Sequence, residues 1–541
     1  MMESVADDSQ EKDARNRGAW KRAGTSPRMQ RVQSFSLRGI DAVGVEIECE
    51  ERFSSESREA APRMSLVGLP DASVRESAAR VRAALSACGF PTPRGNCTIN
   101  LAPAEIRKEG PVFDLPIALA LLRMQGVLDE SSDDRLARFA VAGELSLDGL
   151  VRPIRGATSF AAFARASGLH GVLVPLENAP EAAAVDGIRV HGVSNLKEAV
   201  GFASGLYDIP REPPPDPCPP PFGAASDFAD VRGQEAAKRA LALAAAGGHN
   251  TLLIGPAGSG KTMMARAMPG ILPPLSPDEA LDVTRIYSSV GGVPRGAGLI
   301  RERPFRAPHH SASAAAIVGG GSSPRPGEVS LAHHGVLFLD ELPEFPRVAL
   351  ECLREPLEDG FVTIARANGT LRFPARTMLV AAMNPSHAGG FAQSATERRA
   401  QEKYIGRLSG PLLDRIDMHV EVRAVGFAAL QSSRIGASSL DLRGRVLDAR
   451  GRMELRQGRD RPNARLGGRD LDRHCMLEPA GQRLLESAMK DLGLSARAYD
   501  RVRRVARTIA DLDGCEKVGE SQIAEAIQYR ILDRLKAEQA A

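Results

Sequence analysis

Eight consecutive residues, Gly255-Pro256-Ala257-Gly258-Ser259-Gly260-Lys261-Thr262, have the types and spacing of a phosphate cradle, G-x-x-x-x-G-K-[ST]. Glycines let the backbone wrap an anion with several N–H groups turned inward. A helix opening at Met263 adds the favourable field of its N-terminus. Lys261 can reach the β- and γ-phosphates of a nucleoside triphosphate, and the Thr262 hydroxyl can ligate Mg²⁺. The apolar run Thr251–Ile254 just before the loop supplies the strand this motif needs, so the expected ligands are ATP and Mg²⁺.

Two more groups of residues suit the same chemistry. The apolar run Val336–Leu339 ends in Asp340-Glu341. Asp340 can hold the Mg²⁺ shell, and Glu341 can polarise an attacking water as a general base. Two solvated acids at a strand end are the alternative, weakened here because the phosphate loop requires a Mg²⁺ partner. The run Met378–Ala382 leads into Met383-Asn384-Pro385. The Asn384 amide can orient water near the γ-phosphate, although a lone Asn after a strand usually only forms a turn.

These side chains need a scaffold. Short, nearly continuous apolar runs fit strands buried on both faces, as in a parallel sheet covered by helices. The expected fold class is therefore α/β, with the nucleotide domain at 227–430. Upstream, residues 43–50 alternate apolar and polar, and Cys97, Ile99 and Leu101 lie on one face of another strand. Asp71 caps a helical pattern through Val74, Val81 and Leu85, and 171–175 reads as a further strand. Residues 31–205 form one α/β domain on this reading, after a polar tail at 1–30 expected to be disordered. Seven of the nine residues Pro213–Pro221 are proline, so 206–226 should be an extended linker. Residues 443–473 hold ten arginines against five acids, and 431–475 reads as a solvated, Arg-rich linker. A helical domain follows at 476–541.

Composition excludes several classes. No run approaches the ~18 apolar residues of a membrane span, and the N-terminus lacks an apolar signal core, so a cytoplasmic location without membrane contact is expected. The seven cysteines are scattered and never form C-x-x-C, against a disulfide framework or a zinc ribbon. A net charge of +3 neither requires nor excludes nucleic acid. With 4% aromatic residues, single-strand binding through many stacking rings is disfavoured.

Taken in chain order, the three sites resemble the AAA+ ATPases. RPFRAPHH (303–310), PRPGEVSLAHHGVLFLDELPEF (324–345), AAMNP (381–385), SGPLLDRID (409–417) and LSARAYDRVRRVARTIADL (494–512) narrow this to a resemblance to the YifB/ComM family of magnesium-chelatase-like AAA+ proteins, over roughly residues 31–541. The resemblance implies an ATP-promoted homo-hexameric ring and a DNA helicase active in branch migration during recombination or natural transformation. The competing reading is a chelatase-type motor that remodels a protein partner; a protease-associated unfoldase is a third. By position, Arg415 resembles the arginine finger that reaches a neighbouring subunit's γ-phosphate, and Arg497 the sensor arginine of a C-terminal helical lid. A guanidinium suits both tasks, being always charged and able to bind phosphate bidentately.

The N-terminal domain resembles the Lon protease fold in KEGPVFDLPIALAL (108–121) and AGELSLDGLVRPIRG (142–156). Lon-type proteolysis needs a serine nucleophile and a lysine base. Val112 stands where that family has the serine, and Thr158 is the nearest match to the lysine, so no peptidase activity is expected. Many YifB/ComM relatives have cysteines after the Asn-Pro; here the run is Ser386-His387-Ala388-Gly389-Gly390, and no structural zinc is expected. His309 and His310 read as hydrogen-bonding residues, since nothing supplies further metal ligands.

Residues 361–373 read as a β-hairpin around Asn368-Gly369. In this clade such a hairpin points into the ring's pore, where Arg366 and Arg372 would contact DNA phosphates. The segment 317–330 resembles a second pore insert, with Arg325 its one basic residue. A structural hairpin with solvated arginines is the alternative, and the 443–473 stretch is a further DNA candidate.

Overall fold

In the computed structural model, the described residues are 31–52, 63–128, 134–216, 226–321, 323–366, 369–386, 395–426 and 436–533. The expected tail 1–30, the middle of the proline linker and the run after Ser386 lie outside them. The chain divides into two compact units, the first running to Pro213 apart from Arg38–Asp41 and the second comprising those four residues and the chain from Pro214. No helix among the described residues is long and apolar enough to cross a membrane. The six described cysteines are free thiols.

The first unit is built on a seven-stranded mixed sheet. Its strands are β1 (Arg31–Arg38), β2 (Asp41–Arg52), β3 (Met64–Val67), β4 (Asn96–Ala102), β5 (Phe139–Val141), β6 (Gly171–Pro175) and β7 (Arg189–Val193), in the spatial order β3-β4-β2-β1-β5-β6-β7. The alternation at 43–50 becomes β2, and Cys97, Ile99 and Leu101 are all buried on β4. Helix α1 (Ala72–Ala87) starts where its cap predicts, with the Asp71 carboxylate accepting from Val74 N at 2.8 Å. Helix α2 (Asp114–Met124) is buried along nearly its whole length. Its first residue, Asp114, is fully buried and satisfied by Arg80 Nε (2.7 Å), Arg80 Nη2 (3.1 Å) and Leu145 N (3.2 Å). A buried carboxylate needs such partners, because desolvation without them would favour its protonated form. Helix α3 (Ala157–Ala166) carries Phe160, stacked on Phe35 with centroids 4.3 Å apart.

The second unit contains a five-stranded sheet of β8 (Thr251–Ile254), β9 (Phe305–Arg306), β10 (Val336–Leu339), β13 (Met378–Met383) and β14 (Met418–Glu421). The intervening β11 (Phe361–Arg366) and β12 (Gly369–Pro374) pair only with each other. The sheet order is β9-β10-β13-β8-β14, and every pairing is parallel. The strand carrying the phosphate loop is therefore interior to the sheet, between the strand leading to Asn384 and the strand after Arg415. Successive side chains of a strand face opposite ways. Leu253, Phe338 and Val380 enter one apolar cluster, while Leu252, Leu337 and Leu379 enter another. Both faces are covered, which explains why β8, β10 and β13 are almost continuously apolar, with Thr251 their one polar residue.

Helix α4 (Glu235–Gly247), α5 (Lys261–Ile271) and α6 (Pro277–Val290) belong to this unit. The longer helices towards the C-terminal end of the described residues include α7 (Ser439–Gln457), α8 (Pro479–Asp491), α9 (Ala496–Asp513) and α10 (Glu520–Gln528). Here one expectation is corrected. The segment expected as an Arg-rich linker at 431–475 is, over its described residues 436–475, not a solvated linker, since these contain the 19-residue α7. Leu442, Val446, Ala449 and Met453 form a buried stripe at helical spacing, and they share one cluster with residues of α4 and α5. Several of its arginines have buried partners: Arg456 donates to both Asp511 oxygens (2.5 and 2.8 Å), and Arg452 to the Asp511 carbonyl (2.7 Å). The high charge count concealed an apolar stripe of only four positions.

Candidate nucleotide-binding site

The loop 255–262 leaves β8 and enters α5 as the motif requires. Gly260 has φ 92°, a left-handed backbone that disfavours a side chain. At Gly255 a Cβ would lie 2.1 Å from the Val422 carbonyl oxygen, so the close approach of the chain just after β14 requires glycine. Gln234 holds the loop from below, donating through Nε2 to Ser259 O (3.1 Å) and Arg423 O (2.6 Å). Its positive φ of 61° was the local oddity, but nothing in the sequence pattern announced it.

The loop lysine has three acceptors. Lys261 Nζ donates to Gly255 O (2.7 Å), Pro256 O (2.8 Å) and Asn384 Oδ1 (3.2 Å). Burial lowers its pKa, and the charges of Asp340 and Glu341 partly counter that. Thr262 Oγ1 donates to Asp340 Oδ2 at 2.7 Å. The four motif residues predicted to meet, Lys261, Thr262, Asp340 and Asn384, therefore do meet. Thr262 and Asp340 present hard oxygen donors side by side, which suits Mg²⁺, an ion that prefers oxygen ligands and retains waters. The glycine loop at a helix N-terminus, with the partly buried Lys261 ammonium, fits a polyphosphate.

Glu341 occupies the left-handed region (φ 51°) and has its N–H tied to Asp340 Oδ1 at 3.0 Å. Its carboxylate is half exposed and points to His310, with Nδ1 and Oε2 3.2 Å apart. The His310 and His309 rings lie tilted against each other (centroids 4.1 Å apart), and His309 Nδ1 meets Ser311 Oγ at 2.9 Å. The reading of these two as hydrogen-bonding residues fits that geometry. Among the described residues, a different group, Asp282, His333 and His334, gathers potential ligand atoms within 4.8 Å. His333 Nδ1 there accepts from Arg376 N (2.9 Å), and His334 Nδ1 lies 3.2 Å from Glu279.

Arg415 and Arg497 are not beside this loop. They line a separate cleft of about 1200 Å³, to which none of residues 255–262 contributes. The Arg415 guanidinium donates to Arg354 O (3.1 Å), Pro411 O (2.7 Å) and the Glu358 carboxylate. Arg497, exposed at the start of α9, faces Asp414 at 3.9 Å. The sequence reading paired neither arginine with these acids.

The candidate DNA residues sit on two small ribbons. Arg366 pairs in register with Gly369, and Thr363 with Arg372. Strand alternation therefore turns Arg366 and Arg372 to opposite faces of the hairpin. Arg372 stacks over the Phe361 ring at 4.6 Å. The second ribbon pairs Gly320 with Arg325, and the Arg366 guanidinium lies next to Gly320. All three arginines are exposed. In the first unit, Val112 is buried, and Thr158 is fully buried with Oγ1 bonded to Glu181 O at 3.3 Å.

Comparison with known proteins agrees with this architecture. Residues 227–430 match the family model for magnesium chelatase, subunit ChlI; residues 54–178 match that for subunit ChlI of Mg-chelatase, and 436–530 its C-terminal model. The chain is 43% identical to YifB of Salmonella typhimurium over 482 residues, covering 88% of this chain and 92% of that protein. It is 42% identical to competence protein ComM of Haemophilus influenzae over 480 residues, 88% of this chain and 93% of that one. Similarity to the magnesium-chelatase 38 kDa subunit of Cereibacter sphaeroides is 25% over 343 residues, 57% of this chain and 92% of that subunit. Nearly full-length identity of this order, with all three chelatase models matched in sequence order, means that this chain belongs to the YifB/ComM family of magnesium-chelatase-like AAA+ proteins.

Proposed function

We propose that this chain is an ATP-hydrolysing motor that works as a homo-hexameric ring on DNA. Each nucleotide is held by residues 255–262 of one subunit and completed by Arg415 and Arg497 of the next. The observation that carries this reading is the separation of the two half-sites. Lys261, Thr262, Asp340 and Asn384 converge on one loop, while both arginines line a cleft the loop does not reach. One subunit thus carries two incomplete halves, and a neighbour can supply what each lacks.

Lys261 and the loop amides bind the phosphates. Thr262 and Asp340 hold Mg²⁺, which supplies charge neutralisation at the phosphates when bound. Glu341 takes the proton of the attacking water, and Asn384 orients that water. Arg415 stabilises charge on the phosphoryl group from across the interface, a role worth about 10³–10⁵ in rate in other NTPases.

DNA is favoured as substrate by the three exposed arginines on adjoining ribbons and by the likeness to a competence protein. Pore arginines would grip phosphates without reading sequence. A second reading, remodelling of a protein partner, draws on the likeness to a magnesium-chelatase subunit. We assign no peptidase activity: Val112 lacks a nucleophile and Thr158 lacks a basic amine. The test is ATP turnover with forked DNA, linear duplex, unfolded protein or no addition. Stimulation by forked DNA above the others is expected; no response to any DNA would overturn the DNA reading and favour the protein-remodelling one.

A further inference from the structure

Asn250, the residue before β8, makes hydrogen bonds to three separate parts of the sheet. Its side-chain Nδ2 donates to the Arg415 carbonyl oxygen at 3.0 Å. Its Oδ1 accepts from Leu379 N on β13 at 2.9 Å. Its backbone N donates to Asp417 Oδ2 (3.1 Å), and its carbonyl accepts from Asp417 N (2.9 Å) and Met418 N (3.1 Å). A carboxamide has one donor end and one acceptor end, and the two side-chain bonds use one each. The orientation of the amide is therefore set by its partners.

The connections have a direction. Asn250 is continuous with β8, which runs into the phosphate loop four residues later. Leu379 lies on the strand that ends just before Asn384. Arg415 is the residue that would reach a neighbour. Asp417, almost fully buried, also meets Arg501 Nε of α9 at 3.6 Å and His249 Nδ1 at 3.6 Å. Arg501 is one helical turn beyond Arg497 on the same helix, so the two share a face. One residue thus touches the root of the loop strand, the Asn384 strand and the backbone of Arg415, and through Asp417 it reaches the helix of Arg497.

We propose that Asn250 is a positioning residue that ties the finger a subunit offers its neighbour to the strands of that subunit's own nucleotide site. It touches no substrate. It sets where Arg415 stands, and it makes that position depend on the strands that carry Lys261 and Asn384. The proposal rests on the reading that Arg415 acts between subunits.

The informative change is Asn250→Asp. It is nearly isosteric and keeps an acceptor for Leu379 N, but it turns a carboxylate oxygen toward the Arg415 carbonyl, where a donor is needed. Three mixtures of full-length subunits are compared, each confirmed as mixed rings. Arg415→Ala with Lys261→Ala is the reference, since only an intact loop facing an intact finger can turn over. Asn250→Asp with Lys261→Ala tests the variant as loop donor. Asn250→Asp with Arg415→Ala tests it as finger donor. The expected result is turnover within about twofold of the reference for the loop-donor mixture. The finger-donor mixture should fall at least ~10-fold below the reference, since small misplacements of reacting groups can cost about 10²-fold. A structural defect would depress both mixtures alike, and an idle residue would raise both to about twice the reference, because variant subunits would then also turn over against one another; either result overturns the proposal. Silence of the reference itself overturns the in-trans reading and the proposal with it. Asn250→Ala, which removes both side-chain bonds, should show the same asymmetry, so the test survives if the aspartate variant does not fold.

Discussion

Lys261 Nζ donates to Asn384 Oδ1 across 3.2 Å, joining the phosphate loop to the end of a neighbouring strand. The same ammonium is held by Gly255 O and Pro256 O. The two residues should nevertheless fail differently. Lys261→Ala removes the main side-chain partner of the phosphates and should abolish tight nucleotide binding. Asn384→Ala should leave affinity within a few fold but lower turnover by about 10²-fold, the order expected when a reacting water is misplaced. Titration with a fluorescent ATP analogue beside steady-state turnover separates the two. Equal loss of affinity in both variants would contradict the assigned roles.

Glu341→Gln should retain nucleotide affinity and lose about 10²–10⁴ in turnover, the usual worth of a positioned general base. His310→Ala removes the group facing the Glu341 carboxylate at 3.2 Å. Its expected effect is a rise in DNA-free turnover, because the carboxylate is released toward the nucleotide. A His310 variant as slow as Glu341→Gln would show instead that the pairing aligns the base.

Because each subunit separates its loop from its two arginines, turnover per subunit should rise with protein concentration, and ATP should promote assembly. Arg415→Ala should lower kcat by about 10³-fold or more at saturating ATP. Glu358→Gln, which frees Arg415 of its carboxylate partner, should leave assembly intact and not reduce kcat. Sedimentation and ATPase assays over one dilution series read both effects. Specific activity independent of concentration, with monomers throughout, would rule the ring out.

Arg325, Arg366 and Arg372 bear on DNA. If each contacts a phosphate, replacing one with Ala should flatten the log–log salt dependence of duplex binding by about 0.9. Arg366→Ala and Arg372→Ala need not be equal, because the two point to opposite faces of the hairpin. Binding of a fluorescent branched substrate across a salt series gives the slopes. Three unchanged slopes would remove both ribbons from the DNA path.

His333 is buried, and burial first of all, with the charge of His334 next, lowers its pKa to about 3. A base with a depressed folded-state pKa is neutral in the fold and charged in the unfolded chain at mild acidity, so stability falls as pH drops from about 6.5 toward 3. Between pH 6.5 and 5 this amounts to about 2 kcal/mol. His334 has the opposite sign: its raised pKa contributes stability below its unfolded value, and that is lost as pH rises through the folded one. His333→Gln should therefore flatten the acid limb between pH 6.5 and 5 without altering the alkaline side, as read by urea unfolding. An acid limb identical to the parent's would contradict this account.

The nucleotide motifs, the continuous apolar strands, the Asp71 cap and the 361–373 hairpin were legible in the sequence. Each depends on local rules: loop backbone geometry, strand alternation, capping and turn chemistry act within a few residues. The helical stripe of α7 was also local, but Leu442, Val446, Ala449 and Met453 were outnumbered by arginines whose partners, such as Asp511, are distant in sequence. Tertiary structure alone decided that Lys261 meets Asn384, that Glu341 faces His310, and that Arg415 and Arg497 share a cleft apart from the loop. Those relations depend on strand order. The loop strand lies between the Asn384 strand and the strand after Arg415, although each is more than 120 residues away in sequence. Spacing along a chain does not encode which strands become neighbours. That follows from burying both faces of the sheet at once, which all five strands and their covering helices achieve together.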